Sequence, residues 1–416
     1  MAKVFPFQPY MYAASAGDVN HLVTQPYDKI SPEMRARYLS LSPYNLVRII
    51  LGERLPDDSE SSSVYTRAGD SFRDWISRGL LSKEPAPAFY AYFQEFTVPD
   101  TGERQVRKGF IGLGEVVDYS AGIVHRHEQT LSGPKKDRMQ VLSHTLAHFG
   151  QIFMVYPDPE GAVDGILDYA ASGMPLTVVK DEYGAIHRVW RIAGPAELDA
   201  IRRLMEDKRL IIADGHHRYE TALAFRDQNP HLADAGKVMM TFVNMHSPGL
   251  RILATHRLVN GLASFQKEEF FRRAGQQFTV AMLDSLEALR QAWAQPHMGR
   301  MRIGVAVAGD SAVYLFETAK NPGMLDVRTV HESLLDGALG ISAEAVREEK
   351  FLRYIRGADA ALEQVRRGAA QIAFLLEPTS IEEVAQVSFG GGVMPQKSTD
   401  FYPKLLSGLA IYRLEQ

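Results

Sequence analysis

Leu210-Ile211-Ile212-Ala213-Asp214-Gly215-His216-His217-Arg218-Tyr219-Glu220-Thr221-Ala222-Leu223 is the stretch that decides the fold. Four consecutive apolar residues read as a short buried strand, and Ala222, Leu223 and Phe225 recur at helical spacing after it. Between them stand an aspartate, a glycine, two histidines and an arginine. A helix that starts here presents unpaired N–H groups and a partial positive charge, a combination that favours an anion. Gly215 lets backbone approach a phosphate closely, and Arg218 adds a planar fork of donors. Asp214, at the strand end, is suited to a metal ion or a substrate hydroxyl. The plainer alternative makes Asp214 a helix N-cap with solvated histidines beside it. Five polar or glycine residues straight after a buried strand favour a site.

Outward from this turn the chain alternates strands and helices. Upstream, Ser31-Pro32-Glu33 is a helix start, and Leu46 to Leu51 reads as an apolar strand. Val64 to Ile76 repeats at helical spacing. Ala88–Val98 and Gln105–Val117 form a hairpin around Pro99-Asp100-Thr101-Gly102, and Leu176–Lys180 with Ile186–Ile192 a second one. A helix over Met139 to Phe149 precedes a strand, Ile152–Tyr156. Downstream come strands over Val238–Met245 and Arg251–Val259, then a plausible boundary at Asn260-Gly261. Past it lies a second stretch of strands and helices that ends in an apolar strand, Leu409–Tyr412. The order predicts an α+β first domain over 1–261 and a C-terminal α/β domain over 262–416, whose final loop is expected to return to the site.

Two further clusters carry chemistry. His125-Arg126-His127-Glu128-Gln129-Thr130 lies between a strand and a helix, followed by Lys135, Lys136, Asp137 and Arg138. Glu128 is the candidate general base there, His127 a further candidate catalytic residue, and Lys135 or Arg138 can neutralise phosphate; the plainer alternative is a solvated, charged loop. His125, His127, His144 and His148 invite a zinc reading, but the histidine pair lacks the glutamate of a metalloprotease helix. The other cluster follows Gly390-Gly391-Gly392 and holds Lys397, Ser398 and Thr399; its spacing is not that of a Walker loop. Pro26-Tyr27-Asp28 and Pro43-Tyr44-Asn45 are turns of interest only if they line the same cleft.

The 416 residues carry 46 Lys+Arg against 50 Asp+Glu, a formal net charge of −4. A DNA-coating protein would be strongly basic. The absence of cysteine removes disulfides, thiolate metal sites and cysteine nucleophiles. There is no apolar run of about 18 residues and no signal-peptide core at Met1-Ala2-Lys3-Val4-Phe5-Pro6, so a cytoplasmic protein off the membrane is expected.

Several motifs then combine. Pro26-Tyr27-Asp28-x-Ile30-Ser31, Pro43-Tyr44-Asn45-x-Val47-Arg48, Arg107-x-Gly109-Phe110-Ile111-Gly112, His127-Glu128-x-Thr130, Ala213 through Thr221, and Met394-Pro395-x-Lys397-Ser398-Thr399 occur in order. Together they resemble the bacterial family catalogued as domain of unknown function 1015. The Asp-Gly-His-His-Arg core is also similar to that of the ParB/sulfiredoxin-like group, including its free L-serine kinases. That resemblance implies a ParB/sulfiredoxin-like mixed sheet in the N-terminal part. It implies a phosphate-binding turn at Gly215, His216, His217 and Arg218, with Thr221 closing the motif, and an acidic residue, Asp214, near the reacting phosphate and hydroxyl. The kinases' catalytic glutamate has no alignable counterpart here, and Glu128 is the candidate by chemistry and context.

The expected function is an ATP-dependent (or ADP-dependent) kinase of a small hydroxyl metabolite, free L-serine first, with Mg²⁺ held at Asp214. The substrate carboxylate is assigned to Arg48 or Lys397, with Ser398 and Thr399 beside the latter. The alternatives are a nucleotide-switched ParB-like binding protein, which the charge and the lack of a basic arm disfavour, and a nucleotidyl transferase or phosphatase using the same turn. No nucleic acid partner is expected; a homodimer is left open.

Overall fold

The computed structural model describes residues 1–128, 132–296, 299–320 and 325–415, except the side chains of 132–134. Thr130 lies outside these residues. The fold is α+β, and the chain divides into two compact units. The first comprises residues 1–126, 130–251 and 403–416; the second comprises 127–129 and 252–402. The division therefore falls at 251/252, ahead of the expected 261/262. The reason is that strand Thr255–Val259 pairs with Leu352–Arg356 and Ile372–Leu376 of the second sheet. The last fourteen residues return to the first unit.

The first unit is built on a nine-stranded mixed sheet. Its strands run in the order Val124–His125, Leu210–Asp214, Ile152–Tyr156, Lys237–Asn244, Arg104–Glu115, Phe89–Thr97, Ile186–Ile192 and Thr177–Lys180, with Val4–Phe5 on the flank of Arg104–Glu115. Both expected hairpins form, as antiparallel pairs. The strand leading to the site is the second in that order. It runs parallel to Val124–His125 and antiparallel to Ile152–Tyr156. Its first four residues are buried, as is the whole of Ile152–Tyr156, which is why both read as continuous apolar runs. Ile212, Met154, Phe242 and Phe110 belong to one core, where the rings of Phe110 and Phe242 stack at 4.8 Å.

A second core of this unit gathers Leu46, Ile49, Ile50, Phe72, Trp75 and Phe149 with Ile411 from the chain's end. Here one expectation is corrected: Leu46 to Leu51 is not a strand, and Val47–Ile50 is a short helix. Asn45 Oδ1 accepts the Val47 N–H at 2.9 Å and so starts that turn. The expected terminal strand Leu409–Tyr412 shrinks likewise. Ile411 makes an isolated bridge to Tyr10, and only Tyr412–Arg413 pairs, with Ala147–His148.

The second unit is a six-stranded sheet in the order Thr279–Leu283, Val313–Ala319, Arg300–Val307, Ile372–Leu376, Thr255–Val259 and Leu352–Arg356. Its described pairings are all antiparallel, so it is not an α/β sheet of parallel crossovers. Alternation explains its layers. Ile303, Val305 and Val307 enter one core with Phe270 and Leu334, while Ala306 enters the opposite core with Leu289 and Leu362. Helices therefore cover both faces.

Candidate functional site

Strand Leu210–Asp214 ends at Gly215, whose φ of +98° is left-handed, and helix His216–Gln228 begins at the next residue. Only a glycine adopts that backbone cheaply. A Cβ there would also stand 3.0 Å from the Arg218 guanidinium. Just before the neighbouring strand Ile152–Tyr156, a Cβ at Gly150 would lie 3.3 Å from Arg218 Nη1 and 3.0 Å from Ser407 Oγ. Two glycines thus make room for one guanidinium.

Arg218 is fixed from two sides. Its Nη2 donates to Asp214 Oδ2 at 2.8 Å, and its Nη1 donates to the Gln151 carbonyl. The other Asp214 oxygen meets Lys404 Nζ at 3.3 Å. Burial works to raise the Asp214 pKa, but Lys404, then Arg218, Lys29 and His216, outweigh it and hold the carboxyl below the usual range. Of these, His216 and Arg218 stand beside Asp214 in the sequence motif itself. The sequence did not anticipate Lys404, the strongest of the four.

Lys404 is carried to Asp214 by a buried frame. The Arg107 guanidinium donates to the Pro403 carbonyl and to Gln94 Oε1, and lies 4.5 Å from the centroid of the Phe153 ring. Gln94 Nε2 in turn donates to the Lys404 carbonyl at 2.9 Å. Three residues on, Ser407 exchanges backbone hydrogen bonds with Thr24. Arg107 is fully buried, and burial lowers its pKa to about 9, against the pull of Tyr92 and Asp214.

A cleft of about 70 Å³ opens beside Arg218. Tyr27, Arg138, His148, Gly150, Thr221 and Ser407 are among its lining residues. The Pro26-Tyr27 turn does line it, and the Arg138 guanidinium sits 4.1 Å from the Tyr27 ring centroid. Arg138 also pairs with Asp137, which Tyr65 and Arg54 hold from the other side. The Thr221 hydroxyl is engaged within its own helix, donating to the His217 carbonyl at 2.7 Å. His216 is buried and His217 half-buried at the helix start.

The other expected residues fall as follows. Lys135 pairs with Glu220, one turn into helix His216–Gln228, and Arg126 approaches the same carboxylate at 3.7 Å. Arg48 is exposed and donates to the Leu39 carbonyl at 3.0 Å, so it is not among the cleft's lining. His127 and Glu128 belong to the second unit. There His127 is buried, with Nε2 2.8 Å from Thr399 Oγ1, and its carbonyl accepts the Met394 N–H. The Lys397 carbonyl accepts from Arg257, and the Ser398 hydroxyl donates to the Pro395 carbonyl. The structure thus brings His127 to the Lys397-Ser398-Thr399 loop, a pairing the sequence did not suggest.

The expected Mg²⁺ at Asp214 finds no donor set among the described residues, and neither does the disfavoured zinc reading. No group of three or more His, Cys, Asp or Glu suited to a metal occurs among the described residues. His148 stacks on Tyr412, His144 Nδ1 bonds the Gln140 carbonyl, and both Asp214 oxygens carry a cation. No described helix is long and apolar enough to cross a membrane.

Three solved structures illustrate the likeness to known folds. A free serine kinase variant in complex with AMP aligns at TM-score 0.37 and 11% identity, over 70% of this chain and 89% of that one. A conserved hypothetical protein from Pyrococcus furiosus aligns at 0.34 and 13%, over 68% and 89%. SbnI from Staphylococcus aureus, truncated at its C-terminus, aligns at 0.34 and 12%, over 71% and 85%. At these scores the likeness fixes no residue's role. No curated protein sequence matches the chain. The model of one family, described as protein of unknown function (DUF1015), matches residues 4–339, through the strand, the glycine turn and the helix that build the site. The chain belongs to the DUF1015 family.

Proposed function

We propose that the turn at Asp214–Arg218 holds the phosphates of ATP, or of ADP, and that the chain transfers a phosphoryl group to a small hydroxyl metabolite. Free L-serine is the first candidate, giving O-phospho-L-serine. One observation carries this reading. The Arg218 guanidinium is held rigidly by Asp214 and Gln151, lines the cleft, and spends only part of its donor fork on those two partners. Its other N–H groups have no protein partner among the described residues. A helix N-terminus and an anchored arginine supply the positioning and charge neutralisation that phosphoryl transfer chiefly needs.

Asp214, kept ionised by its two cations, orients the acceptor hydroxyl or takes its proton; Glu128 is the second candidate base, with His127 beside it. Lys135 and Arg138 are further phosphate-side cations. Lys397, Ser398 and Thr399 remain the proposed substrate-side group. The ParB/sulfiredoxin-like ancestry of the first unit is part of the same proposal. The residues present do not fit a resident Mg²⁺ site, so no step is routed through one.

The test is incubation with ATP, Mg²⁺ as the usual companion of nucleotide phosphates, and pooled amino acids, with mass spectrometry of the products. A phosphorylated amino acid and ADP are expected; pyrophosphate release would replace the kinase by a nucleotidyl transferase. Arg218→Ala should abolish turnover. Because Arg218 also props Asp214, Arg218→Lys is the control that keeps the charge and loses the fork. Asp214→Asn should lower turnover by at least about a hundredfold, and Glu128→Gln similarly. If Asp214→Asn is fully active while Glu128→Gln is dead, Asp214 serves only to anchor the turn.

A further inference from the structure

The second unit holds a buried guanidinium, that of Arg257, which no carboxylate among the described residues neutralises. Arg257 lies on strand Thr255–Val259, directly opposite Tyr354 on strand Leu352–Arg356. Strand alternation puts Arg257 on the face of Val259, and Tyr354 on the face of Leu352. Val259 and Leu352 belong to one core, and the helix Val330–Ala338 packs its Val330, Leu334 and Leu335 into that core. His331 stands in the first turn of this helix, which is wound in the wide π form that often marks functional positions.

Arg257 is 1% exposed. Its guanidinium donates to the carbonyls of Thr255 and Lys397 and stands 5.5 Å from the Tyr354 ring centroid. Among the described residues no carboxylate pairs with it. Arg356, next on the same face, is by contrast clamped by Asp400 through two hydrogen bonds. Glu128 and Glu349 bear on Tyr354, yet neither pairs with Arg257. Isolated buried cations are costly. Arg257 Nε and Tyr354 Oη on this face, and His331 Nε2 on the helix whose Val330 and Leu334 join the same core, are buried without a hydrogen-bond partner among the described residues. Burial and the Arg257 charge lower the His331 pKa to about 4, so its ring is neutral at pH 7 and adds no second cation.

We infer that Arg257, Tyr354 and His331 form a binding site for an oxyanion, a carboxylate or a phosphate group of a ligand, in the second unit. Arg257 supplies the counter-charge, Tyr354 and His331 supply neutral hydrogen-bonding groups. Through its bond to the Lys397 carbonyl, Arg257 also fixes the Met394–Thr399 loop, where Lys397 takes a left-handed φ of +56° unusual for a side-chain-bearing residue. The site does not depend on the phosphate turn of the first unit or on the kinase reading.

The test uses the full chain carrying Arg218→Ala, which silences the first unit's turn, and titrates inorganic phosphate and acetate separately by calorimetry. Saturable binding of one or both is expected. Phosphate alone assigns a phosphorylated ligand, acetate alone a carboxylate. Adding Arg257→Gln should weaken that binding about tenfold or more, the usual worth of a hydrogen bond to a charged group. Tyr354→Phe, which keeps the ring and drops the hydroxyl, should weaken it several-fold and decides the matter if Arg257→Gln fails to fold by circular dichroism. Absence of binding up to about 10 mM, well beyond a millimolar Kd, overturns the site. So does unchanged affinity in the folded variants.

Discussion

Asp214 is the residue on which the first unit's site balances, and its partners give the sharpest residue-scale expectations. Lys404→Met removes the largest cationic influence on it. Asp214 has a depressed folded pKa, so its ionised form stabilises the fold above the unfolded value of about 4. That stabilisation fades as pH falls through the folded value. The loss caused by Lys404→Met, on the order of 1–3 kcal/mol, should therefore be complete at pH 7 and shrink below about pH 4. Urea unfolding of both chains across that range checks it; a loss that stays constant to pH 3 would mean Lys404 acts without Asp214. Gly215→Ala meets both a left-handed backbone and the Arg218 guanidinium, and should cost about 1–3 kcal/mol in the same assay. The pairing of Asp214 with Arg218 was within reach of the sequence, because four positions along a helix start is contact distance. Lys404 was not. It lies 190 residues from Asp214 and arrives there only because Arg107 and Gln94 bind the backbone of Pro403 and Lys404.

The strand–glycine–helix element was legible because its signals are local: four apolar residues, a glycine, then helical spacing. Leu46–Leu51 misled for an equally physical reason, since a short apolar run fits a buried helix turn as well as a strand. Only the side chain of Asn45, bonded to the Val47 N–H, separates the two. The C-terminal segment was the least legible element, for it has no period of its own. Its residues are buried by what surrounds them: Leu405, Leu406, Leu409, Ala410, Ile411 and Leu414 are each at most 5% exposed. At about 1.5–3 kcal/mol for each large apolar side chain buried, this segment's burial is comparable to the usual net stability of a domain. A chain ending at Tyr402 should consequently lose cooperative unfolding of its first unit, and a fragment cut at the expected boundary of 261 should do the same. Native-like near-ultraviolet circular dichroism in either would show that the segment is an accessory.

At the scale of the molecule, each unit has its own cores, and the three tryptophans divide between them. Trp75 and Trp190 lie in the first unit and Trp293 in the second. Trp293→Phe therefore makes tryptophan fluorescence a reporter of the first unit alone. A ligand that binds only the folded state stabilises it by about 2.7 kcal/mol at a hundred times its Kd. If the phosphate turn is the nucleotide site, saturating ATP should raise the unfolding midpoint read by Trp75 and Trp190. Free L-serine alone should raise it less, because its few atoms engage a smaller part of the site. Arg218→Ala in the Trp293→Phe chain decides where the effect originates. That variant should unfold at a midpoint that ATP no longer moves, and a shift that persists in it would place the nucleotide away from the Asp214–Arg218 turn.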